Sequence, residues 1–164
     1  MNPLAAPAEF VSIVKPPSPD DTPVLVARLV DQHGASWVDD ASIDDWTADA
    51  GDRVLFFWGD PVRFPEGLDV AVVLPELQRH LPGRFAVGVA RRAGQEAMAR
   101  RLGSQRWPTL MFFRDGRYVG VVCGMLDWDV FVAEVERLLA TPPSRLPGIG
   151  IPLVPATAAT SGCH

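Results

Sequence analysis

The chain has 164 residues, 48% of them hydrophobic and 21% charged, which is typical of one globular domain that folds without a metal or disulfide framework. Its formal net charge of -5 disfavours a nucleic-acid-binding protein, because such proteins usually carry a basic excess. It has no apolar run of about 18 residues that would cross a membrane and no recognisable signal peptide at its start, so we expect a cytoplasmic protein without membrane insertion.

Prolines concentrate at the two ends of the chain. Six precede Val24 and five follow Ala140, and neither end shows helical or strand periodicity. We therefore expect a Pro-rich arm over residues 1–22, one domain over residues 23–140 and an extended Pro-rich tail over residues 141–164.

The apolar spacing within the domain alternates between helical and strand periods. Thr22 is expected to cap the first helix, with Pro23 in its first position, and Asp127 to cap the last. Asp115-Gly116 is a strong signal for a two-residue hairpin turn. The predicted elements are a helix ending at His33, a strand over 35–38, a helix over 41–50, a buried strand over 53–58, a helix ending at Leu81 with a kink at Pro75, a strand over 85–90, a helix over 94–102, strands over 109–113 and 117–123, and a final helix. This order predicts an α/β fold, a mixed central sheet flanked by helices.

Charge is unevenly distributed along the chain. The stretch from Asp20 to Asp69 holds twelve acids and three arginines, whereas the stretch from Arg84 to Arg117 holds eight arginines and two acids. Such a chain can present an acidic surface to a basic partner and an arginine-rich surface elsewhere. The alternative is that the two stretches mix on the folded surface and carry no functional information.

The order of elements resembles thioredoxin, and several residues agree in place: Phe57-Trp58 at the end of the central strand, Pro75 in the following helix, Trp107-Pro108-Thr109, and the turn Arg114-Asp115-Gly116-Arg117. The resemblance implies a cis-proline at Pro108. Thioredoxin-type oxidoreductases need C-x-x-C at the start of the kinked helix, where the helix end lowers the thiol pKa. Those two positions fall on Gly67 and Val70, so disulfide exchange by that route is excluded by residue type.

A closer resemblance begins in the loop Asp60-Pro61-Val62-Arg63-Phe64-Pro65-Glu66, which follows the pattern D-P-x-R-x-P-E. Agreement continues through Pro-Glu-Leu at 75–77, the region around Trp107-Pro108, Tyr118-x-Gly120-Val121, Gly124 and Trp128. Over roughly residues 37–139 the chain resembles the HyaE/HoxO/HupG family, cysteine-less thioredoxin-like proteins encoded with uptake [NiFe] hydrogenases.

The resemblance implies a non-enzymatic chaperone without cofactors or catalytic residues. It would bind the hydrogenase small-subunit precursor and its twin-arginine signal peptide, and protect the iron–sulfur subunit before export, including under oxygen. The two guanidinium groups of such a peptide call for carboxylates and nearby apolar surface. Asp60, Glu66 and Asp69 offer the carboxylates, with Phe64 and Trp58 adjacent. The same carboxylates are also favoured at a helix start for capping or solvation alone.

Three other residues of the predicted partner-binding surface have alternative roles. Arg63 is expected to pair internally with Asp60 or Glu66 rather than with a partner. Trp107 and Pro108 would lie beside the altered active-site groove, where Trp107 either contacts a partner or packs in the core.

The two cysteines, Cys123 and Cys163, leave one enzymatic alternative, a thioredoxin-type thiol oxidoreductase or peroxidase. It is disfavoured because neither lies at the start of the kinked helix. Cys163-His164 supplies two soft ligands, but a metal site needs more ligands in a defined geometry, so no metal is expected. The tail provides a further hypothesis, a scaffold that recruits another assembly factor.

Overall fold

A computed structural model describes residues 21–147. Residues 1–20 of the predicted arm over 1–22, and residues 148–164 of the predicted tail over 141–164, lie outside the described residues. The helices are α1 (Val24–His33), α2 (Ile43–Ala48), α3 (Glu66–His80), α4 (Gln95–Arg101) and α5 (Trp128–Leu139), and the strands are β1 (Ser36–Val38), β2 (Asp52–Phe57), β3 (Ala86–Ala90), β4 (Thr109–Arg114) and β5 (Arg117–Cys123).

The strands form one mixed sheet in the order β1-β3-β2-β4-β5. The first three are parallel, whereas β4 runs antiparallel to β2 and β5 antiparallel to β4. The central strand β2 is buried from Val54 to Phe57, as a continuous apolar run predicts for a strand covered on both faces. The predicted order and the mixed sheet are thereby confirmed.

Two hydrophobic clusters cover the two faces of this sheet. Alternate residues of β2 point to opposite faces: Val54 and Phe56 join the cluster formed with α1, α3 and α5, while Leu55 and Phe57 join the cluster formed with α2 and α4. Ile43 and Trp46 of α2 are both buried in the second cluster. The ends of β2 and β4 thus lie between two packed layers.

The two predicted caps differ in detail. Helix α1 begins at Val24 rather than at Pro23, because Pro23 has extended geometry (ψ 144°), and it is the Pro23 carbonyl that accepts the N–H groups of Val26 and Ala27. Asp127 does precede α5, but its side chain makes no capping hydrogen bond; its backbone carbonyl accepts the Phe131 N–H at 2.8 Å. Both helix starts are therefore organised by backbone groups.

Arg114 ties the hairpin to the end of α5. Its Nε donates to Asp52 Oδ1 at 2.7 Å, and its two terminal nitrogens donate to the carbonyls of Thr141 and Leu139 at 2.9 and 2.8 Å. The chain then continues along the sheet edge, where the Ser144 N–H donates to the Tyr118 carbonyl at 2.7 Å. Residues 141–147 are thus held against the domain although they form no helix or strand.

Candidate functional site

The candidate site is built on the turn where the chain leaves β2. Trp58 is buried, and its indole Nε1 donates to the Ala90 carbonyl at 2.8 Å. The next residue, Gly59, has a φ of 76° and donates its N–H to Oε1 of Gln95 at 3.2 Å. Since Gln95 is only 3% exposed, this bond fixes the loop start from the interior.

Asp60 organises the loop that follows. Its Oδ1 accepts the N–H groups of Val62 and Arg63 at 2.9 and 3.0 Å, and its Oδ2 lies 3.3 Å from the Arg92 guanidinium. These bonds, first among them the Arg63 N–H, hold the pKa of the Asp60 carboxyl below its usual 3.8. Arg92 also lies over the Trp58 ring, 5.6 Å from its centroid. The Asp60 carboxylate is therefore engaged within the fold.

The prediction that the Arg63 side chain pairs with Asp60 or Glu66 is wrong. Asp60 takes its ion pair from Arg92 instead, and the exposed Arg63 guanidinium lies over the Phe64 ring at 5.3 Å from its centroid. The physical reason is the turn: Asp60 Oδ1 accepts the backbone N–H groups of Val62 and Arg63, while the fold brings Arg92 to Oδ2.

Phe64 and Trp107 form an aromatic pair at the surface. Their rings are stacked with centroids 6.2 Å apart and 28° between planes, and Trp107 also meets buried Phe57 edge-on. Gly59 lies directly beneath them, since a Cβ on Gly59 would lie 3.0 Å from Trp107 Cε3 and 3.2 Å from Phe64 Cδ2. Both rings are half-buried, so one side of the pair packs on the domain and the other faces outward.

A groove of about 360 Å³ runs beside this pair, lined by Phe64, Gln105, Arg106, Trp107, Cys123 and Gly124. We call it the aromatic groove. The bond between Trp107 and Pro108 is cis, as the resemblance predicted. Pro108 itself is buried, and its carbonyl accepts the Gly124 N–H at 2.8 Å. Pro108 thus positions Trp107 and one wall of the aromatic groove and offers little contact area of its own.

Glu66 and Asp69 differ from Asp60. Both are exposed residues in the first turn of α3, and neither has an ion pair or side-chain hydrogen bond within the described residues. Of the three predicted carboxylates, these two are therefore the ones available to an external cation, and negative charge is favoured there by the helix dipole.

Gly67 occupies the place where a thioredoxin would carry a redox cysteine, and it has no room for a side chain. A Cβ on Gly67 would overlap the backbone carbonyl oxygen of Trp58. Helix α3 therefore crosses the end of β2 in backbone contact, and a thiol at this position is excluded by space as well as by residue type.

Folding pairs four of the twelve acids of the acidic stretch with arginines of the arginine-rich one. Four ion pairs join the two stretches: Asp39–Arg91 at 3.8 Å, Asp40–Arg101 at 2.8 Å, Asp52–Arg114 at 2.7 Å and Asp60–Arg92 at 3.3 Å. The mixed-surface alternative accounts for these residues. What remains of the predicted acidic surface near the loop is Glu66 and Asp69.

Comparison with known proteins identifies the family. Residues 25–131 match the model described as Hydrogenase-1 expression protein HyaE. The chain belongs to the HyaE family. It is 57% identical over 150 residues to the hydrogenase expression/formation protein HoxO of Cupriavidus necator, covering 90% of this chain and 92% of that protein. It is 36% identical over 128 residues to HupG of Bradyrhizobium diazoefficiens, covering 76% of this chain and 86% of that protein.

A solved thioredoxin variant from Halobacterium salinarum has the same fold. It aligns with a TM-score of 0.54 at 24% identity, over 66% of this chain and 94% of that one. The HyaE-family chain therefore has a thioredoxin-like fold, as predicted from the order of its elements.

Cys123 ends β5 on the wall of the aromatic groove, with its sulfur 3.5 Å from the Thr109 hydroxyl. It is not at the start of α3, where thioredoxin-type chemistry places its thiol. Cys163 and His164 lie outside the described residues. Within residues 21–147 no three His, Cys, Asp or Glu side chains are grouped to hold a metal, and no described helix has the length and apolarity to cross a membrane.

Sequence reasoning missed two residues that build this HyaE-family site. Gln95 could not be found from the sequence, because a glutamine at a helix start carries no local signal for burial. In the sequence Arg92 stands out only as one member of the arginine-rich stretch, whereas in the fold its guanidinium contacts Asp60 and Trp58. The excess of acid before the loop and arginine after it was the one sequence signal for that pairing.

Substitution of Asp60 by asparagine tests the loop's ion pair. The amide oxygen still accepts the two backbone N–H groups, but the charge on Arg92 loses its partner. We expect the wild type to be more stable by about 1 kcal/mol at neutral pH. Because folding lowers the pKa of Asp60, this advantage is present above the unfolded-state pKa and is lost as the pH falls through the folded-state value. Urea unfolding of both proteins between about pH 2.5 and 7 measures it; a difference independent of pH would contradict the assignment.

Proposed function

We propose that this protein is a hydrogenase maturation factor that binds the precursor of the hydrogenase small subunit, including its twin-arginine signal peptide, in the cytoplasm before export. Binding would shield the immature iron–sulfur subunit, also from oxygen, without a catalytic step. The observation that carries the proposal is an aromatic groove beside the cis-proline Pro108, in a chain 57% identical to a hydrogenase expression/formation protein.

The site supplies the two kinds of contact that such a peptide needs. The stacked rings of Phe64 and Trp107 offer apolar, partly exposed surface beside a groove, and aromatic side chains contribute much of the energy of protein interfaces. Glu66 and Asp69, which follow Phe64 by two and five residues, offer exposed carboxylates at the start of α3. Carboxylates accept paired hydrogen bonds from guanidinium groups.

Two residues near the start of α3, Gly67 and Asp60, support a non-catalytic role. Gly67 cannot accept a side chain beside the Trp58 carbonyl, so the thiol that a thioredoxin uses has no place in this backbone. Asp60, the carboxylate nearest to the end of β2, is held ionised by its hydrogen bonds and by Arg92, which suits a structural charge and not a proton donor at neutral pH.

The proposal is tested by titrating purified small-subunit precursor, with and without its signal peptide, against this protein in a calorimeter. We expect binding of the complete precursor with micromolar affinity or better. Absence of binding to both forms would overturn the proposal. Binding of equal strength to both would remove the signal peptide from it and leave the folded precursor as the ligand.

Charge reversal at the start of α3 measures how much Glu66 and Asp69 contribute to precursor binding, separately from the aromatic groove. The double variant Glu66→Lys/Asp69→Lys is expected to weaken binding of the complete precursor about tenfold, because each exposed carboxylate contributes a fraction of a kcal/mol to 1 kcal/mol. The matched control is Asp44→Lys/Asp45→Lys, which reverses two exposed acids in the first turn of α2. An equal loss in the control would show that net charge alone, and not this helix start, attracts the peptide.

A further inference from the structure

We propose that the tail of this chain, residues 148–164, docks into the aromatic groove of its own domain and must be displaced when a partner binds there. The first support is where the tail begins. The Pro147 carbonyl oxygen lies against Gly103, 2.8 Å from the position that a Cβ on Gly103 would take. The preceding segment is held to the domain by the hydrogen bond from Ser144 to Tyr118.

The start of the tail is close to the rim of the aromatic groove. Gly103 is followed two residues later by Gln105, which lines the groove, and two residues span at most about 7 Å. Residues 148–164 have an extended reach on the order of 50 Å, several times what is needed. The attachment point and the chain length therefore allow the tail to enter the groove.

The composition of the tail matches the groove. Residues 148–164 contain no acidic residue, lysine or arginine, and they begin with the apolar, proline-containing run Ile149-Gly150-Ile151-Pro152-Leu153-Val154-Pro155. Such runs favour the polyproline II conformation, which docks on aromatic-lined grooves at a low cost in conformational entropy. The stacked Phe64 and Trp107 provide that kind of surface. Attachment in the same chain raises the effective concentration of the tail to the millimolar range.

Self-docking does not depend on which partner the protein serves. A partner that uses the aromatic groove has to compete with the tail, so its apparent affinity is reduced by the fraction of molecules in which the groove is open. The tail would thereby shield the two aromatic rings until a partner of sufficient affinity arrives.

The full chain carries its own reporter for this contact, because Cys123 lines the aromatic groove and Cys163 lies in the tail. In a glutathione buffer, a disulfide between these two residues exchanges with two glutathione thiols, which gives two protein thiols and one glutathione disulfide. The equilibrium gives the effective concentration of one cysteine beside the other. We expect Ile151→Ser/Leu153→Ser to lower it at least tenfold, because the run that holds the tail in the groove is lost. The control Ala158→Ser/Ala159→Ser, nearer to Cys163, should leave it unchanged.

An equal effective concentration in the wild type and in Ile151→Ser/Leu153→Ser would overturn the proposal, since the apolar run would then not hold the tail in the groove. A second readout works without thiols. In full chains carrying Cys123→Ser and Cys163→Ser, we expect the serine pair at 151 and 153 to shift the indole N–H resonance of Trp107, with no shift from the pair at 158 and 159. An unchanged Trp107 resonance in both would likewise contradict docking.

Discussion

Substitution of Gly67 by alanine is expected to lower the free energy of unfolding by about 1–2 kcal/mol. The added Cβ meets the Trp58 carbonyl oxygen, which belongs to the backbone at the end of the central strand and cannot rotate away. Forcing a methyl group into a filled space costs about 1–3 kcal/mol or more, and the gain in helix propensity of about 1 kcal/mol from removing a glycine offsets only part of it. Urea unfolding followed by circular dichroism measures the change.

The matched control is Val72→Ala, an exposed position on the same helix, where we expect a change within about 0.5 kcal/mol. Gly67→Cys should be destabilised at least as much as Gly67→Ala, so restoring the thioredoxin cysteine would not restore a thioredoxin. If Gly67→Ala unfolded at the same urea concentration as the wild type, α3 would be able to move away from β2, and lack of space would not exclude a side chain at this position.

Substitution of Arg114 by alanine is expected to cost about 2–3 kcal/mol of stability. The half-buried guanidinium bonds Asp52 and the carbonyls of Leu139 and Thr141. The Leu139 carbonyl is among the acceptors left without partners at the end of α5, and Thr141 follows just beyond that end. Its loss leaves a partly buried carboxylate and two carbonyls to be satisfied by water. Thermal and urea denaturation of the variant measure the loss.

Arg117→Ala is the control for Arg114, because Arg117 lies across the same hairpin pair but is exposed, and we expect a change within about 0.5 kcal/mol. Arg114→Lys keeps the charge but not the forked geometry and should fall between the two. Equal stability of Arg114→Ala and Arg117→Ala would mean that the hairpin and α5 are held together by their apolar contacts alone.

The elements of this fold follow from local signals, whereas much of the site does not. Asp115 and Gly116 have φ of 51° and 75°, the conformation that an Asp-Gly hairpin turn favours, so the turn was predictable from two residues. The bond from Gly59 to Gln95 joins residues 36 positions apart, and no local pattern marks it. The partner of Asp60 was misassigned for the same reason: sequence proximity favoured Arg63, while the fold brings Arg92 to the carboxylate.

The aromatic groove was predictable from the sequence only in part. The resemblance predicted a cis-proline at Pro108, which is found, and the preceding Trp107 lines the aromatic groove. The stacking of Trp107 on Phe64 was not predicted, because it depends on how Gly59 lets the loop pass beneath the two rings. Gly67 was recognised as a missing cysteine, but the reason that it is glycine, contact with the Trp58 backbone, required the tertiary arrangement.

In the function proposed above, the aromatic groove binds the hydrogenase small-subunit precursor. The most direct test is the dissociation constant of that precursor for the wild type, for Trp107→Ala and for Trp128→Ala. Trp128 is the matched control, since it is 41% exposed but does not line the groove. We predict at least about tenfold weaker binding for Trp107→Ala, as for other aromatic anchors of interfaces, and no change for Trp128→Ala. Equal affinities of the wild type and Trp107→Ala would contradict the claim.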